Sequence, residues 1–512
     1  MNVWKVLKNT YYDSVTLMSL TARLKKEMPF KELVMLMGTD MNKEMIRDIN
    51  LMSDEIEKAS PGDLVLAASL EDTSLKDTWD TVVLKQLNSR KSEKGLPVKE
   101  FKTINQAKKE FDANVAVISV PGIYASNEAL NALKNNMHVM LFSDNVSIED
   151  EIELKKAAIE RDLLLMGPDC GTAILNGIGL CFANNVRQGN IGLVAASGTG
   201  LQEVTVIIDR FGGGITQAIG VGGRDLSEQV GGAMMLKGID MLDKDEKTAV
   251  IVLISKPPHK SVEEKIMKRL ESVKKPVVVC FLDKSEQMDT RSNITFTTTL
   301  AQTAVKALNK AGIHAEDPSF LNEEQMKSIS EARAALTPSQ TKIKGLFCGG
   351  TLTAEALSIV RKYVKEITSN VAKREYEKMK DVFVSSGNNL VDLGDDIFTQ
   401  ERPHPMIEPT IRLERIIKEA ENPETGVLLL DFVLGYGSHE DPVGITVDTL
   451  KQAKEIAQKH GRHLPIVAYI CGTENDKQSL KKQEQQLRDL GVIVAKSNAN
   501  ACLIAAEIIK EI

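Results

Sequence analysis

The chain reads as an α/β protein of doubly wound parallel sheets: a Rossmann-like domain over 1–186, then two flavodoxin-like domains over 187–335 and 336–512 that form an internal duplication. Three observations carry this reading. Two Gly-rich turns, in IGLVAASGTGLQEV (Ile191 to Val204) and KGLFCGGTLTAEAL (Lys344 to Leu357), each end an apolar β-prone run and open a helix. The same further elements follow both turns in the same order. The strands are continuous apolar runs separated by helical stretches, which marks parallel sheets covered on both faces.

In chain order, VWKVLKNTYYDSVTLMSLTARL reads as strand, loop and helix, and ELVMLMGT as the next strand. From Phe111 to Cys170, Val/Ile-rich strands alternate with helices that carry Ala and Leu at helical spacing. Their strands end near Val120, Phe142 and Met166. Ligands of open α/β sheets lie beyond strand C-termini, so Pro121-Gly122, Ser143-Asp144 and Gly167-Pro168-Asp169 line that edge. After the paired turns, ITQAIGVGGRDL answers to NNLVDLGDDIF, TAVIVLISKPPH to TGVLLLDFVLGYG, and KPVVVCFLDK to LPIVAYICGT. NITFTTTLAQTAVKAL and VIVAKSNANACLIAAEII close the repeats, each as a strand and an amphipathic helix. EARAALTPSQT joins the repeats, and Val371 to Phe383 is a solvated charged helix or an insertion.

Composition narrows the function. At 512 residues the chain has room for three or four domains of about 100–200 residues each. A net charge of −7 lacks the basic excess of a nucleic-acid binder. No apolar run reaches the ~20 residues of a membrane span, and the first residues lack a secretory apolar core, so a cytoplasmic protein is expected. The six cysteines are scattered without metal-ligand spacing, and Asp395-Asp396 is an adjacent carboxylate pair without further ligand spacing, a weak signal, so no metal is expected.

GPDCGTAI (Gly167 to Ile174), followed by the SGTG turn and GVGGRDL, resembles the α subunit of succinyl-CoA synthetase, and the second repeat resembles the C-terminal domain of its β subunit. The opening YYDSVTLMSLTARLKK, the MGT of Met37 to Thr39, and RPHPMIEPT (Arg402 to Thr410) resemble the FdrA family more narrowly, over nearly the whole chain. The broader resemblance implies an acyl-CoA synthetase or CoA transferase. The narrower one also implies a subunit of an oxamate carbamoyltransferase of allantoin (purine) catabolism, interconverting oxalurate plus phosphate with oxamate plus carbamoyl phosphate. A non-catalytic scaffold subunit is the third reading.

Departures from the synthetase pattern favour carbamoyl transfer. The loop that carries a phosphohistidine in the synthetases reads SEQMDTRSNITF here, without histidine. Ser255-Lys256-Pro257-Pro258-His259 stands where their supporting glutamate lies. The ATP-grasp domain is absent from the 512 residues, and KNTYYDSV has no glycine with which to approach CoA. No cofactor is therefore required, although CoA or a nucleotide remains compatible with the superfamily. The expected ligands are carbamoyl phosphate or phosphate and a small anionic acid, with other subunits of a complex as partners. Nothing resembles the Lys- and Arg-rich carbamoyl-phosphate site of aspartate-type transcarbamylases.

The resemblance implies that both turns converge on one anion. Each helix N-terminus offers free N–H groups and about half a positive charge. Ser197, Gly198, Thr199 and Gly200 of the first turn, with Gly349, Gly350 and Thr351 of the second, form the expected cradle. In the Pro-rich RPHPMIEP loop, His404 and Arg402 are expected to be presented rather than buried, as catalytic or substrate-binding groups. Asp169 and Cys170 are either a cap and a core thiol or ligand groups. His439, beside Glu440 and Asp441, is a further candidate. His259 is read as a loop residue.

Overall fold

The computed structural model describes every residue except 9, 11, 13–16, 18, 19, 22, 23, 26, 27, 72–74, 77, 93–100, 285–292, 400–402, 511 and 512. The chain divides into two units, Met1–Phe101 and Lys102–Ile512. The single domain expected over 1–186 is thus corrected. Its first hundred residues form an antiparallel sheet of their own, and the Rossmann-like strands belong with the repeats.

In the first unit, β1 (Asn2–Leu7), β2 (Phe30–Met37) and β3 (Leu64–Leu70) pair antiparallel in the order β1-β3-β2. Central β3 is buried nearly throughout, whereas β2 alternates buried Leu33, Met35 and Met37 with more accessible neighbours, as a half-covered strand does. Helices α1 (Asp40–Asp48), α2 (Asp54–Glu57) and α3 (Trp79–Ser92) complete the unit. The helix expected after Val15 falls largely outside the described residues.

The second unit opens with α4 (Ile104–Glu110), β4 (Val115–Ile118), α5 (Gly122–Lys134), β5 (His138–Leu141), α6 (Ile148–Glu160) and β6 (Leu165–Met166). The three strands form a parallel Rossmann-like sheet in the order β4-β5-β6. A hairpin, β7 (Thr172–Leu175) and β8 (Ile178–Cys181), then joins the edge of the first repeat. That repeat comprises β9 (Gln188–Ala196), α7 (Gly198–Arg210), β10 (Ile215–Gly220), α8 (Ala233–Lys244), β11 (Val250–Ser255), α9 (Lys260–Leu270), β12 (Val277–Phe281), β13 (Ile294–Thr297) and α10 (Leu300–Lys310). Its seven-stranded sheet runs β13-β12-β11-β9-β10-β7-β8, with the flavodoxin order inside it.

After α11 (Glu323–Ala334) the pattern recurs: β14 (Lys342–Phe347), α12 (Gly350–Val360), β15 (Thr368–Ser369), β16 (Asn389–Asp392), α13 (Asp396–Thr399), α14 (Thr410–Glu421), β17 (Thr425–Val433), α15 (Val447–Lys459), β18 (Ile466–Cys471), α16 (Leu480–Asp489), β19 (Ile493–Val494) and α17 (Asn498–Ile509). The sheet order is β15-β16-β14-β17-β18-β19, all parallel. All five paired elements of the sequence stand at equivalent places. Val371 to Phe383 is an insertion with one 3-10 turn at Glu375–Glu377.

The repeats share one core. Leu201, Ile208 and Leu308 of the first and Leu352, Val360 and Ile508 of the second belong to the same buried cluster. Within it, equivalent glutamates cap each other's repeat. Glu203 of α7 accepts the N–H of Asn498, which opens α17 (3.1 Å), and Glu355 of α12 accepts the N–H of Leu300, which opens α10 (2.6 Å). Glu355 also takes Asn498 Nδ2 at 2.8 Å. Burial, and then the charge of Glu203, pushes the Glu355 carboxyl up to about 8.

The fold therefore prefers the protonated form of Glu355. Its contribution is fully present below about 4.5, the ordinary glutamate value, and is lost as pH rises through about 8. The melting temperature of the wild type should fall between pH 5 and 8.5, and that of Glu355→Gln should fall less over the same range. Equal slopes would show that this carboxyl does not titrate in the fold.

Candidate functional site

The C-terminal ends of the parallel strands open into a cleft of ≈ 1260 Å³. Val120, Pro121, Ser143, Asp144 and Asp169 of the Rossmann-like module line one side, as strand order predicts, and both Gly-rich turns line the other. A buried charge network fixes the floor. Lys155 Nζ lies 2.7 Å from Glu151 and 2.8 Å from Asp225, and donates to Val221 O at 3.0 Å. Asp225 in turn accepts the N–H groups of Met234 and Met235, so the GVGGRDL loop is tied to α8 and α6 together.

At the first turn, Ser197 caps α7 and its Oγ accepts the N–H of Gly200 at 3.0 Å. The expectation that the Gly200 N–H faces an anion is corrected, because the cap has used it. At the second turn, Gly349 precedes α12 without a side-chain cap, and Asp431 of β17 accepts the N–H groups of Cys348 (2.8 Å) and Gly349 (3.0 Å). The Gly349 amide is therefore also not a ligand donor. The N–H groups of Gly198, Thr199, Gly350 and Thr351 have no protein acceptor among the described residues. Ser197 Oγ and Thr351 Oγ1 lie 2.7 Å apart, which joins the two turns. One hydroxyl proton is spent between them and the other is left for a ligand. A Cβ at Gly349 would come within 2.9 Å of Thr199 Cγ2, so this close approach requires glycine.

Two lysines complete the electropositive end. Lys256 follows β11, Lys373 lies in the insertion after β15, and both line the cleft. Among the described residues Lys256 has no acceptor, and Lys373 Nζ reaches only Pro257 O at 3.4 Å. Burial first, and then the Lys256 charge, pushes Lys373 down. Asp283 acts on Lys373 in the opposite sense, but neither lysine forms a salt bridge among the described residues, so the two charges favour an anion in the cleft. Arg224, also in the cleft, is committed to Glu151 at 2.9 Å.

Carboxyls line the same cleft. Asp392, at the end of β16, is buried, and a Cβ on Gly350 would lie 2.6 Å from its Oδ2. Burial raises it to about 7, and Lys256 pulls the other way. Asp169 reaches water in the cleft but is surrounded by protein on most sides. Desolvation, then Asp396 and Asp144, raise it to about 6. Its neighbour Cys170 is buried and also lines the cleft; its Sγ lies 3.6 Å from Thr172 O, and burial pushes it up to about 12.

His404 does line the cleft, but it is not presented as expected. Its ring packs 5.7 Å from that of Phe182, burial pushes the imidazole down to about 4, and Nδ1 accepts the Met406 N–H at 3.2 Å. The ring is neutral at pH 7 with its proton on Nε2, so it can donate a hydrogen bond but is a poor base. Flanking prolines fixed the loop without deciding which way its side chains point. Arg402 lies outside the described residues. His439 faces a small separate pocket with Cys348 and Arg412, its Nδ1 accepting the Asp441 N–H. His259 lies on the cleft rim, with Nδ1 2.9 Å from Ser261 Oγ and Nε2 3.8 Å from Glu228.

Lys256, Lys373 and Asp392 escaped the sequence reading. The cleft thus does carry lysines, although no compact basic motif announces them. Lys256 and Asp392 directly follow or end apolar strands, a placement that marks them; Lys373 has no local signal. No helix among the described residues is long and apolar enough to cross a membrane.

Doubly wound repeats that share a core and bring two helix N-termini together define a CoA-ligase-type protein, and the family comparisons agree. Residues 346–508 match the CoA-ligase family and 186–282 the CoA binding domain. The CoA-binding match thus falls on the first repeat rather than on the segment before it. Residues 1–102 match the family described as AllF, heavy metal-associated domain.

YahF of Escherichia coli K12 is 47% identical over 99% of both chains. The α subunit of ADP-forming succinate–CoA ligase from Staphylococcus epidermidis RP62A is 28% identical over 36% of this chain and 60% of its own length. Among solved structures, the apo dinucleotide-forming acetyl-coenzyme A synthetase 1 of Ca. Korarchaeum cryptofilum aligns over 81% of this chain and 86% of that one, at 15% identity and a TM-score of 0.32. The chain belongs to the succinyl-CoA-synthetase-like family that includes YahF.

The heavy-metal description does not fit the residues present. Positions 1–102 contain neither cysteine nor histidine. Among the described residues no group of three or more His, Cys, Asp or Glu is placed to hold a metal.

Proposed function

We propose that the cleft holds a phosphate or carbamoyl phosphate dianion between the two helix N-termini and the two lysines, and that the chain is a subunit of an oxamate carbamoyltransferase. The observation that carries this reading is Lys256. A cation stands where the synthetases place the glutamate that supports their phosphohistidine, which suits a free anion. The AllF match over residues 1–102 supports a link to allantoin breakdown.

In the oxalurate-forming direction the amide nitrogen of oxamate attacks the carbamoyl carbon. The new C–N bond forms, the C–O bond to phosphate breaks, and phosphate leaves with both electrons of that bond onto Gly198, Thr199, Gly350 and Thr351. Asp392, ionised, takes the proton from nitrogen, and His404 Nε2–H donates to the oxyanion on the carbamoyl carbon. The reverse reaction uses Asp392 as the acid. Partner subunits supply the remaining contacts to the acid substrate.

A second reading, an acyl-CoA ligase, is favoured by the CoA-ligase and CoA-binding matches and by His259 beside Glu228 on the cleft rim, a pair suited to carry a phosphoryl group. The two readings separate on one experiment. The full chain is incubated with 32P-labelled carbamoyl phosphate or acetyl phosphate, and acid-labile, base-stable label is measured alongside thermal shift by CoA. Carbamoyl transfer predicts no phosphohistidine and no CoA shift. Label that disappears in His259→Asn, together with a CoA shift, would establish the ligase.

A further inference from the structure

Two hydroxyls in the wall of the cleft are buried and have no partner. Thr172 is 2% exposed and Ser255 1% exposed, and neither Thr172 Oγ1 nor Ser255 Oγ has a hydrogen-bond partner among the described residues. Both residues line the cleft. Their positions flank the start of α7. A Cβ on Gly198 would meet Thr172 Oγ1 at 3.7 Å and nothing closer. Ser255 is the last residue of β11, in register with Ala196 of β9, immediately before the cap Ser197. One hydroxyl thus comes from the β7 hairpin and the other from the neighbouring strand, on elements that neither Gly-rich turn contains.

Buried hydroxyls in folded proteins are almost always hydrogen-bonded, because leaving one unmade forfeits the water it lost on folding. The neighbouring hydroxyls Ser197 and Thr351 hydrogen-bond to each other. Thr172 and Ser255 line the cleft beside the start of α7, where free helix N–H groups favour negative charge, and Lys256 is next in the chain to Ser255. A hydroxyl can turn its proton to whichever oxygen is offered, so a tetrahedral ligand with several charged oxygens is the chemistry that satisfies both.

We propose that Thr172 Oγ1 and Ser255 Oγ are donors to the phosphoryl group held at the helix N-termini, and that they select a tetrahedral dianion over a planar carboxylate. The inference rests on the anion-cradle reading above. The two hydroxyls are positioning residues for that ligand, set against the sides of the phosphoryl group that the helix ends do not reach.

The test is calorimetric titration of the full chain with inorganic phosphate, with carbamoyl phosphate and CoA as separate arms. Wild type, Thr172→Val, Ser255→Ala and the conservative Thr172→Ser are compared, and the ligand-free melting temperature of each is recorded. Thr172→Val and Ser255→Ala should each weaken phosphate by about tenfold, as loss of a hydrogen bond to a charged group does. Their ligand-free melting temperatures should hold or rise, since an unsatisfied hydroxyl has been removed, and Thr172→Ser should keep wild-type affinity. A structural role alone would give the opposite pattern: lower melting temperatures with unchanged phosphate affinity. Wild-type phosphate binding that survives both substitutions, or an effect confined to CoA, would overturn the assignment of the hydroxyls and leave the cradle standing. Absence of phosphate and carbamoyl phosphate binding in the wild type would overturn both.

Discussion

Asp392→Asn should lower the rate of carbamoyl transfer by about two to four orders of magnitude, the usual span for loss of a positioned acid or base. Phosphate affinity should be maintained or slightly improved, because the substitution removes a negative charge beside Gly350. The pH profile gives a second, independent readout. The carboxyl is raised to about 7, so in the oxalurate-forming direction, which needs it ionised, the rate should climb through that pH and level off above it. Phosphorolysis needs the acid form, so its rate should fall through the same pH. Both limbs should vanish in Asp392→Asn. A variant that keeps its rate and its limb would move the proton transfer to another group. The measurement is kcat/KM against pH in both directions, made with the partner subunits present.

Lys256→Glu should weaken phosphate and carbamoyl phosphate by more than tenfold, and the salt dependence of binding should shrink with the lost charge. It should also act on Asp392. Lys256 holds that carboxyl, and Asp169, below where burial alone would place them, so reversing the charge should move the limb in both directions of reaction to higher pH. Lys256→Arg keeps the charge and should restore the position of the limb even if geometry reduces the rate. Calorimetry at low and high ionic strength measures the first effect and the pH profile the second. Unchanged affinity in Lys256→Glu would remove the cation on which the proposed function rests.

The parts of this molecule that were legible in the sequence are those fixed by local pattern. Continuous apolar strands such as TAVIVLIS and TGVLLLDFV can sit only in sheets covered on both faces, and their recurrence revealed the duplication. Turns that end a strand and open a helix marked where an anion would meet backbone. The illegible parts depend on partners remote in the chain. Asp431 uses up the Gly349 amide from across the sheet, and the Ser197 cap and Phe182 ring decide what Gly200 and His404 can do. Lys256 and Lys373 become neighbours only once two repeats have packed. At the N-terminus a pleated antiparallel sheet and a Rossmann half share the same residue preferences. The boundary after Phe101 is marked only by composition, in the charged stretch RKSEKGLPVKEFK (Arg90 to Lys102) with its Gly and Pro, and the expected first domain runs across it.

The reciprocal capping by Glu203 and Glu355 bears on how the protein comes apart. Each repeat satisfies the first N–H of its last helix with a carboxyl of the other, so a repeat expressed alone would keep its Thr299 or Ser497 cap but leave the N–H of Leu300 or Asn498 without its acceptor. The repeats share one core and these reciprocal bonds within one chain, and the connector through α11 replaces a concentration-dependent encounter with a tether. Unfolding of the two sheets should therefore be one cooperative event at any protein concentration, rather than two successive ones.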